Sequence, residues 1–202
     1  HFLIDIIEPN EPFTLKEYLD TFYKTLEDIR KTPKYKNASV FLVGGTGLYI
    51  SAITENYTLS KRGPTSGDPT TRGIRPRGKP RFDTLELGMD IPKETLNKKI
   101  DARVDAMIAN GLVEETQKLS EKYAWSLPSM TGIGYRQIGM YLRGDITLEE
   151  AIQKIKTETR AYAKRQRTWW RHHGHVQWVK NADEASKLVE RFLTTTPFNR
   201  VN

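Results

Sequence analysis

Three short segments contain residue types that could bind phosphate or RNA. The first is the run Gly44-Gly45-Thr46-Gly47, which follows an apolar segment and precedes an apolar helix. Glycines let the backbone turn sharply and approach a ligand, and the first turn of a helix offers free N–H groups to a phosphate. Many α/β turns are glycine-rich for packing reasons, and no lysine follows this run, so it is not a Walker A loop. By itself the run does not establish a phosphate site.

The second segment is a basic helix predicted over residues 147–171, opened by a capping box of Thr147 and Glu150. Helical spacing divides its side chains between two stripes. The stripe predicted to pack contains Leu148, Ile152, Ile155, Thr159, Tyr162, Gln166 and Trp169. The other stripe contains Lys156, Arg160, Lys164, Arg167 and Arg171. Cations one turn apart suit a phosphate backbone, so the second stripe predicts contact with RNA. Gln166 is unusual on a packing face, because a buried amide needs hydrogen-bond partners or a ligand.

The third segment runs from Thr131 to Gln137 and contains Gly132 and Gly134. Its glycines predict a flexible turn before Tyr135 and Arg136. Tyrosine can stack on a base, and the arginine fork can hold a phosphate. A helix N-terminus with a packed tyrosine explains the segment equally well, so both interpretations stay open here.

Composition limits the class of protein. The 202 residues are 37% hydrophobic and 28% charged, which predicts a globular chain with one domain, or one domain and a small satellite. No apolar run reaches the ~20 residues that cross a bilayer, so no membrane span is expected. Cysteine is absent, which excludes disulfides and thiolate metal sites and fits a cytoplasmic location. His172, His173 and His175 lack carboxylates at ligand spacing, so no metal site is predicted on this chain.

The net charge of +7 is unevenly distributed. Basic residues cluster over 61–81 and again over 153–180, with Asp68 and Glu158 as the acidic residues inside the two clusters. This pattern is typical of a polyanion partner, although a solvated basic face would look the same. Gly63–Asp68 superficially resembles a phosphate loop, but it has one residue too few between its glycines and an aspartate in place of the lysine, so we reject it.

The elements expected from periodicity and turn residues begin with a strand, a helix, a strand and a helix, which predicts a parallel α/β sheet. The expected strands cover residues 2–7, 39–43, 82–89 and 176–179. The expected helices cover residues 14–30, 48–53, 93–110, 112–123, 134–143, 147–171 and 183–193. Residues 58–80 are rich in glycine and proline and are expected to form a loop or junction.

Five motifs in order resemble the bacterial and organellar tRNA dimethylallyltransferase family. His1 to Asp5 is similar to its H-H-L-I-D strand, and Gly44 to Ile50 to its G-G-T-G-L-Y-I. Arg103 to Glu115 is similar to R-V-D-x-M-x-x-x-G-L-x-x-E. Ile133 to Gln137 matches I-G-Y-[RK]-[QE], and Lys164 to Arg171 matches K-R-Q-x-T-W-x-R. The motifs extend over nearly the whole chain except residues 58–80.

The resemblance implies an α/β fold with a P-loop NTPase-like parallel sheet core and a helical C-terminal portion. Residues 1–57 would be the remainder of that core and 58–81 a junction in place of a helical insertion. Residues 82–202 would complete the core and contact tRNA. The family's phosphate loop and its D-S-x-Q segment would lie before His1, so the isolated chain is expected to transfer no prenyl group and no phosphate-loop residue is assigned. A cytoplasmic monomer without membrane contact is expected.

The reaction that the resemblance implies moves a dimethylallyl group from dimethylallyl diphosphate to N6 of the adenosine 3′ to the tRNA anticodon, with Mg²⁺ as cofactor. The base would be flipped into a channel. Thr46 would line the tRNA side of that channel, and Arg103 would neutralise the leaving diphosphate. Implied tRNA contacts are Thr131, Gly132, Gly134, Tyr135, Arg136, Lys164, Arg165, Gln166, Arg167, Thr168, Trp169 and Arg171.

Two alternatives remain at this point. One is a non-catalytic RNA-binding remnant that uses only the basic helix 147–171. The other is a different P-loop kinase-like protein, which Gln166, Thr168 and Trp169 argue against, because a phosphate-binding lid needs the cations but not these three residues.

Overall fold

The structure, a computed structural model, describes residues 1–36, 38–59, 74–76, 79–172 and 175–195, with the backbone alone at 58–59 and 74–76. The chain forms two compact units. The first unit contains His1–Ile6, Phe13–Met89 and Trp170–Asn202, and the second contains Ile7–Pro12 and Asp90–Trp169. Among the described helices, none is both long enough and apolar enough to span a membrane.

The helices and strands are named in chain order. They are α1 (Leu15–Lys31), α2 (Gly47–Thr54), β1 (Tyr57–Leu59), β2 (Ile74–Pro76), β3 (Leu87–Met89), α3 (Lys93–Ala109), α4 (Leu112–Lys122), α5 (Tyr135–Leu142), α6 (Leu148–His172), β4 (Gln177–Val179) and α7 (Ala182–Thr195). Short 3₁₀ turns cover Pro33–Tyr35 and Pro128–Thr131.

Helices α1 and α2 build the core of the first unit. The predicted capping box opens α1, since the Glu17 N–H donates to Thr14 Oγ1 and the Thr14 N–H donates to the Glu17 carboxylate. Leu19 and Phe22 of α1 are buried with residues of α2, and Leu26 packs beside them. The amphipathic spacing of α1 therefore predicted its buried face correctly.

The strands of the first unit are short. β1 and β2 pair antiparallel, and β3 and β4 pair in parallel with Gly88 opposite Trp178. The expected strand at 82–89 is thus reduced to Leu87–Met89, whereas the strand at 176–179 is confirmed as β4. The two-stranded parallel sheet, within a mostly helical chain, confirms the α/β class in its general form.

Two strand predictions were wrong, and the loop predicted over 58–80 is contradicted at residues 58–59 and 74–76, which pair as strands. Residues 2–7 form bends, with left-handed backbone at Leu3 (φ 62°) and Asp5 (φ 53°), and residues 39–43 are extended without pairing. A strand requires hydrogen bonds from a neighbouring strand, and no described segment pairs with either stretch. Phe41 and Val43, expected to be buried, are 72% and 91% exposed. The expected loop at 58–80 contains β1 residues and β2 near its ends, while 60–73 and 77–78, including Gly63–Asp68, lie outside the described residues.

The second unit is built from α3, α4, α5 and α6, and all four helices agree with the sequence predictions. Its buried residues are Ile100, Val104, Leu112, Ile138, Ala151 and Ile155. Gly111, with φ 94°, separates α3 from α4 in the left-handed conformation that glycine tolerates, as its position as a helix stop predicted. The Thr147–Glu150 capping box is also present, through hydrogen bonds of 2.8 and 3.2 Å.

Candidate functional site

The two residues expected to serve the reaction itself lie in different units. Thr46 is the exposed N-cap of α2 in the first unit, where its carbonyl accepts from the N–H groups of Tyr49 and Ile50. Arg103 is exposed on α3 in the second unit. It forms no ion pair within the described part of the chain, although its neighbours Asp101 and Asp105 do. The Arg103 guanidinium is therefore available to an anionic ligand.

The turn before α5 is shaped by Gly134, which is buried with φ 106°, a conformation that disfavours any other residue. Its N–H donates to Gln137 Oε1 at 2.9 Å, and Gln137 is 1% exposed. This internal hydrogen bond fixes the turn, so Gly134 and Gln137 position their neighbours. Thr131 and Gly132 are exposed ahead of it and can be reached from solvent.

Tyr135 and Arg136, at the start of α5, each contact a carboxylate. The Tyr135 hydroxyl donates to Glu115 Oε1, and this hydrogen bond, together with partial burial, raises the pKa of Tyr135 to about 12. Arg136 forms an ion pair with Glu158 of α6, with 49% of the arginine side chain exposed. Tyr135 thus stays protonated at neutral pH, and its ring is held in one orientation. Arg136 keeps guanidinium N–H groups that the single carboxylate contact does not use.

A cavity of about 290 Å³ adjoins this turn within the second unit. Its lining residues are Trp125, Ser126, Met130, Thr131, Arg136 and Arg143. Met130 is buried, with 2% exposed, and the Arg143 guanidinium lies 5.2 Å from the centre of the Trp125 ring. The cavity is therefore lined by two apolar residues, two arginines and two residues with hydroxyl groups.

The basic stripe expected along α6 is only partly open, which corrects the sequence interpretation. Lys156 pairs with Asp105 at 2.6 Å, and Arg160 pairs with Asp101 at 2.5 Å. Arg167 pairs with Asp90 at 3.0 Å and also donates to the Ile91 carbonyl at 3.2 Å. These cations lie against α3 and the segment before it, because carboxylates there match their spacing. Their charge is neutralised within the unit.

Four other cations of α6 are exposed: Lys154 near its start, and Lys164, Arg165 and Arg171 farther along. Lys164 and Arg171 form no ion pair with any described residue, and Arg165 lies over the Tyr162 ring at 5.6 Å. Gln166 and Trp169 are half-buried and Thr168 is exposed; Thr168 and Trp169 both make further polar or ring contacts. The open cations in the C-terminal half of α6 therefore lie at 164, 165 and 171.

The described residues form no group of three or more His, Asp or Glu side chains able to hold a metal ion. The residues of the site instead suit phosphate: exposed guanidinium and ammonium groups, a fixed tyrosine ring and hydroxyls. Such a surface can bind the backbone of a nucleic acid and stack on a base.

Sequence reasoning missed Arg143 and Trp125. Arg143 lies seven residues after Arg136, which places both on the same side of α5, and this spacing was available in the sequence. Trp125 gave no such signal, since it lies outside any predicted helix. Asp101 and Asp105 are four residues apart, as are Lys156 and Arg160, so the paired spacing could also have predicted the ion pairs between α3 and α6.

Comparison with known proteins identifies the family to which the chain belongs. A family model described as IPP transferase matches residues 1–73 and 64–173. The tRNA dimethylallyltransferase of Microcystis aeruginosa is 33% identical over 238 residues, covering 95% of this chain and 74% of the relative. That of Moorella thermoacetica is 30% identical over 256 residues, covering 97% of this chain and 77% of the relative. The chain belongs to the IPP transferase family.

Solved structures support the same assignment. The tRNA isopentenylpyrophosphate transferase of Bacillus halodurans superimposes with a TM-score of 0.80 at 28% identity, covering 96% of this chain and 77% of that one. A tRNA isopentenylpyrophosphate transferase of Staphylococcus epidermidis shares the fold, with a TM-score of 0.74 at 24% identity. The family resemblance stated from the five motifs is thereby confirmed.

Proposed function

We propose that this protein transfers a dimethylallyl group from dimethylallyl diphosphate to N6 of the adenosine 3′ to the anticodon of tRNA. The observation that carries the proposal is the match to tRNA dimethylallyltransferases over about 95% of the chain. The exposed cations of the second unit support it, because a tRNA substrate needs groups that bind phosphate.

In this reaction the bond between the dimethylallyl C1 and the diphosphate oxygen breaks, and a bond from C1 to adenine N6 forms. The diphosphate leaves with the bonding electrons, and N6 loses a proton. Arg103 would stabilise the charge that grows on the diphosphate, which its exposure and lack of an ion pair within the described residues allow. Thr46 would contact the base at the start of α2. The 131–136 turn and the residues from 164 to 171 other than Arg167, which is paired with Asp90, would hold the tRNA.

The remaining expectations belong to the same proposal. Mg²⁺ would be coordinated mainly by diphosphate oxygens, as is usual for this ion, since the described residues provide no cluster of ligands. A P-loop NTPase-like core is part of the proposal, supported by the parallel pairing of β3 and β4, and no residue of this chain is assigned to its phosphate loop. A cytoplasmic monomer is the state we propose.

The transfer assay tests the proposal. The protein is incubated with dimethylallyl diphosphate, Mg²⁺ and unmodified tRNA, and the digested tRNA is analysed by mass spectrometry for N6-dimethylallyladenosine. Product well above a no-protein blank is the result that the proposed reaction requires, and it would contradict the expectation of inactivity drawn from the sequence. Arg103→Ala should then lower the rate by roughly a hundredfold, the size of losing one group that stabilises developing charge.

A second candidate function is RNA binding without transfer, which the exposed cations at 164, 165 and 171 favour. Fluorescence anisotropy with labelled tRNA at several salt concentrations separates the two. Salt-dependent binding without product supports the RNA-binding function alone. Absence of both binding and product would contradict both functions.

A further inference from the structure

We propose that the cavity beside α5 binds a phosphodiester group of tRNA, with Arg143 as a phosphate-binding residue. The inference rests on the proposed tRNA substrate and extends the binding surface beyond the residues that the family resemblance assigns. It concerns the cavity of about 290 Å³ described above, which lies wholly within the second unit.

The position of Arg143 supports this role. Arg136 and Arg143 lie one at each end of α5, seven residues apart on the same side of the helix, and both line the cavity. Two arginines that line one cavity are suited to a single phosphate, because a guanidinium can donate two parallel hydrogen bonds to phosphate oxygens. Thr131 and Ser126 add hydroxyl groups at the same cavity.

Trp125 orients Arg143. The guanidinium of Arg143 lies 5.2 Å from the centre of the Trp125 ring, a cation–π distance. The ring packs against Gly139 of α5 so closely that an added Cβ at Gly139 would lie 2.5 Å from Trp125 Cζ3. Glycine at 139 is therefore required for this packing, and the packing fixes the ring beneath the guanidinium. Trp125 is a positioning residue.

A phosphate can replace Glu158 and Asp145 as the partner of the two arginines with only a small loss of free energy. Arg136 pairs with Glu158, and Arg143 pairs with Asp145 at 3.3 Å. The four side chains are 49%, 37%, 44% and 50% exposed, so water already competes with both ion pairs. Exposed pairs of this kind contribute about 0–1 kcal/mol, and a phosphate with three or more contacts exceeds them.

The apolar surface of the cavity argues for a nucleic acid rather than a free ion. Trp125, which is half-buried, lines it beside the two arginines, and a sugar or base attached to the phosphate can cover the exposed part of the ring. A free inorganic phosphate would leave this surface in water. The ligand assigned to the cavity is therefore a phosphodiester carried by tRNA.

The test compares two substitutions of opposite sign with matched controls. Arg143→Ala and Asp145→Asn alter the cavity, whereas Arg191→Ala and Glu190→Gln make the same charge changes on α7, which does not line the cavity. The dissociation constant of labelled tRNA is measured for each protein by anisotropy over a range of chloride concentrations. Circular dichroism confirms folding, which these exposed positions should not disturb.

Arg143→Ala should weaken tRNA binding roughly tenfold and reduce the slope of log K against log salt by about 0.7–0.9, the value for one phosphate contact. Asp145→Asn should strengthen binding, because Arg143 then has no competing carboxylate. Both effects should exceed those of the α7 controls. Equal effects of the cavity and control substitutions would overturn the proposal.

Inorganic phosphate provides the second arm. If a few millimolar phosphate binds the parent but not Arg143→Ala, while the two proteins bind tRNA equally well, the cavity is a free-anion site and the tRNA assignment fails. The proposed reaction is tested separately: a protein that binds tRNA through Arg143 without transferring a prenyl group contradicts the reaction alone. A protein that transfers normally but binds tRNA equally well with alanine at 143 contradicts the cavity assignment alone.

Discussion

Cations of α6 that follow the same helical spacing are ion-paired in one region of the helix and exposed in another. Lys156 and Arg160 face Asp105 and Asp101 of α3, and the Lys156 side chain is only 13% exposed. Lys164, Arg165 and Arg171, farther along the helix, are exposed. The sequence of α6 alone does not separate these regions, because the difference comes from the acidic residues of the facing helix. A stripe of cations therefore predicts RNA contact only where its partner helix carries no matching carboxylates.

The two regions should also differ in energetics. Around Lys156 and Arg160 the charges are partly removed from water, so loss of a partner leaves a poorly solvated charge and lowers stability. Around 164, 165 and 171 the charges are solvated, so their loss should leave stability nearly unchanged and should lower affinity for a polyanion. Substitutions in the paired region should thus lower the free energy of unfolding, whereas substitutions in the exposed region should lower the affinity for a polyanion.

The largest expected effect is on tRNA binding. Replacing Lys164, Arg165 and Arg171 with alanine should reduce the salt slope by roughly two to three units and weaken binding by about two orders of magnitude, since each cation can neutralise one phosphate. Alanine is a strong helix former, so the free energy of unfolding should change by less than ~1 kcal/mol. Anisotropy and urea denaturation measure the two quantities.

The matched control removes three exposed lysines, Lys98, Lys118 and Lys187, which form no ion pair within the described residues. It lowers the net charge equally, so it should reproduce only the non-specific part of the effect. If the control weakens tRNA binding as much as the first variant, the open region of α6 has no special role.

This division also explains what the sequence could and could not predict. The helices of the second unit were predicted correctly, because a helix satisfies its own hydrogen bonds and its apolar spacing identifies the buried face. The strands at 2–7 and 39–43 were predicted wrongly, because apolar β-branched residues favour a strand but cannot supply its neighbour. Local sequence signals predicted the capping boxes correctly, whereas the turn predicted to be flexible is fixed by the hydrogen bond of Gly134 to Gln137. The acceptor for Arg160 lies 59 positions away in the sequence, so no local signal could predict it.

The intermediate effect concerns the paired region. Asp105→Ala should lower the free energy of unfolding by about 1–2 kcal/mol, because the largely buried Lys156 ammonium loses its partner. The double variant Asp105→Ala with Lys156→Met should recover most of that loss, since an apolar side chain of similar length needs no partner. Urea denaturation of the parent, both single variants and the double variant gives the coupling energy directly.

The tRNA salt slope of Asp105→Ala should equal that of the parent within about 0.3 units, a third of one phosphate contact. A slope that rises by a full unit would show that the freed Lys156 reaches RNA. In that case a cation released from its ion pair with α3 would also bind RNA. The two regions of α6 would then not differ in their ability to contact RNA.

The smallest expected effect concerns Tyr135, a predicted tRNA contact that is itself held by a carboxylate. Its hydrogen bond to Glu115, together with partial burial, raises its pKa from the usual value of 10 to about 12. A pKa that is higher in the folded state stabilises the fold fully below pH 10, and the contribution disappears as pH rises towards 12. The hydrogen bond is partly exposed, so its contribution should be about 1 kcal/mol or less.

Tyr135→Phe removes the hydroxyl but keeps the ring, so the parent should be the more stable protein at pH 8 and should lose this advantage between pH 10 and pH 12. Urea denaturation of both proteins over this range gives the difference, in which the similarly raised pKa of Tyr57 cancels because both proteins contain it. Glu115→Gln offers a neutral acceptor at the same place, so the tyrosine absorbance at high pH should titrate at a lower pH than in the parent. If the difference in free energy of unfolding between the parent and Tyr135→Phe stays constant up to pH 12, Glu115 does not hold the hydroxyl. Tyr135 would then be grouped with the exposed side chains and not with the paired ones.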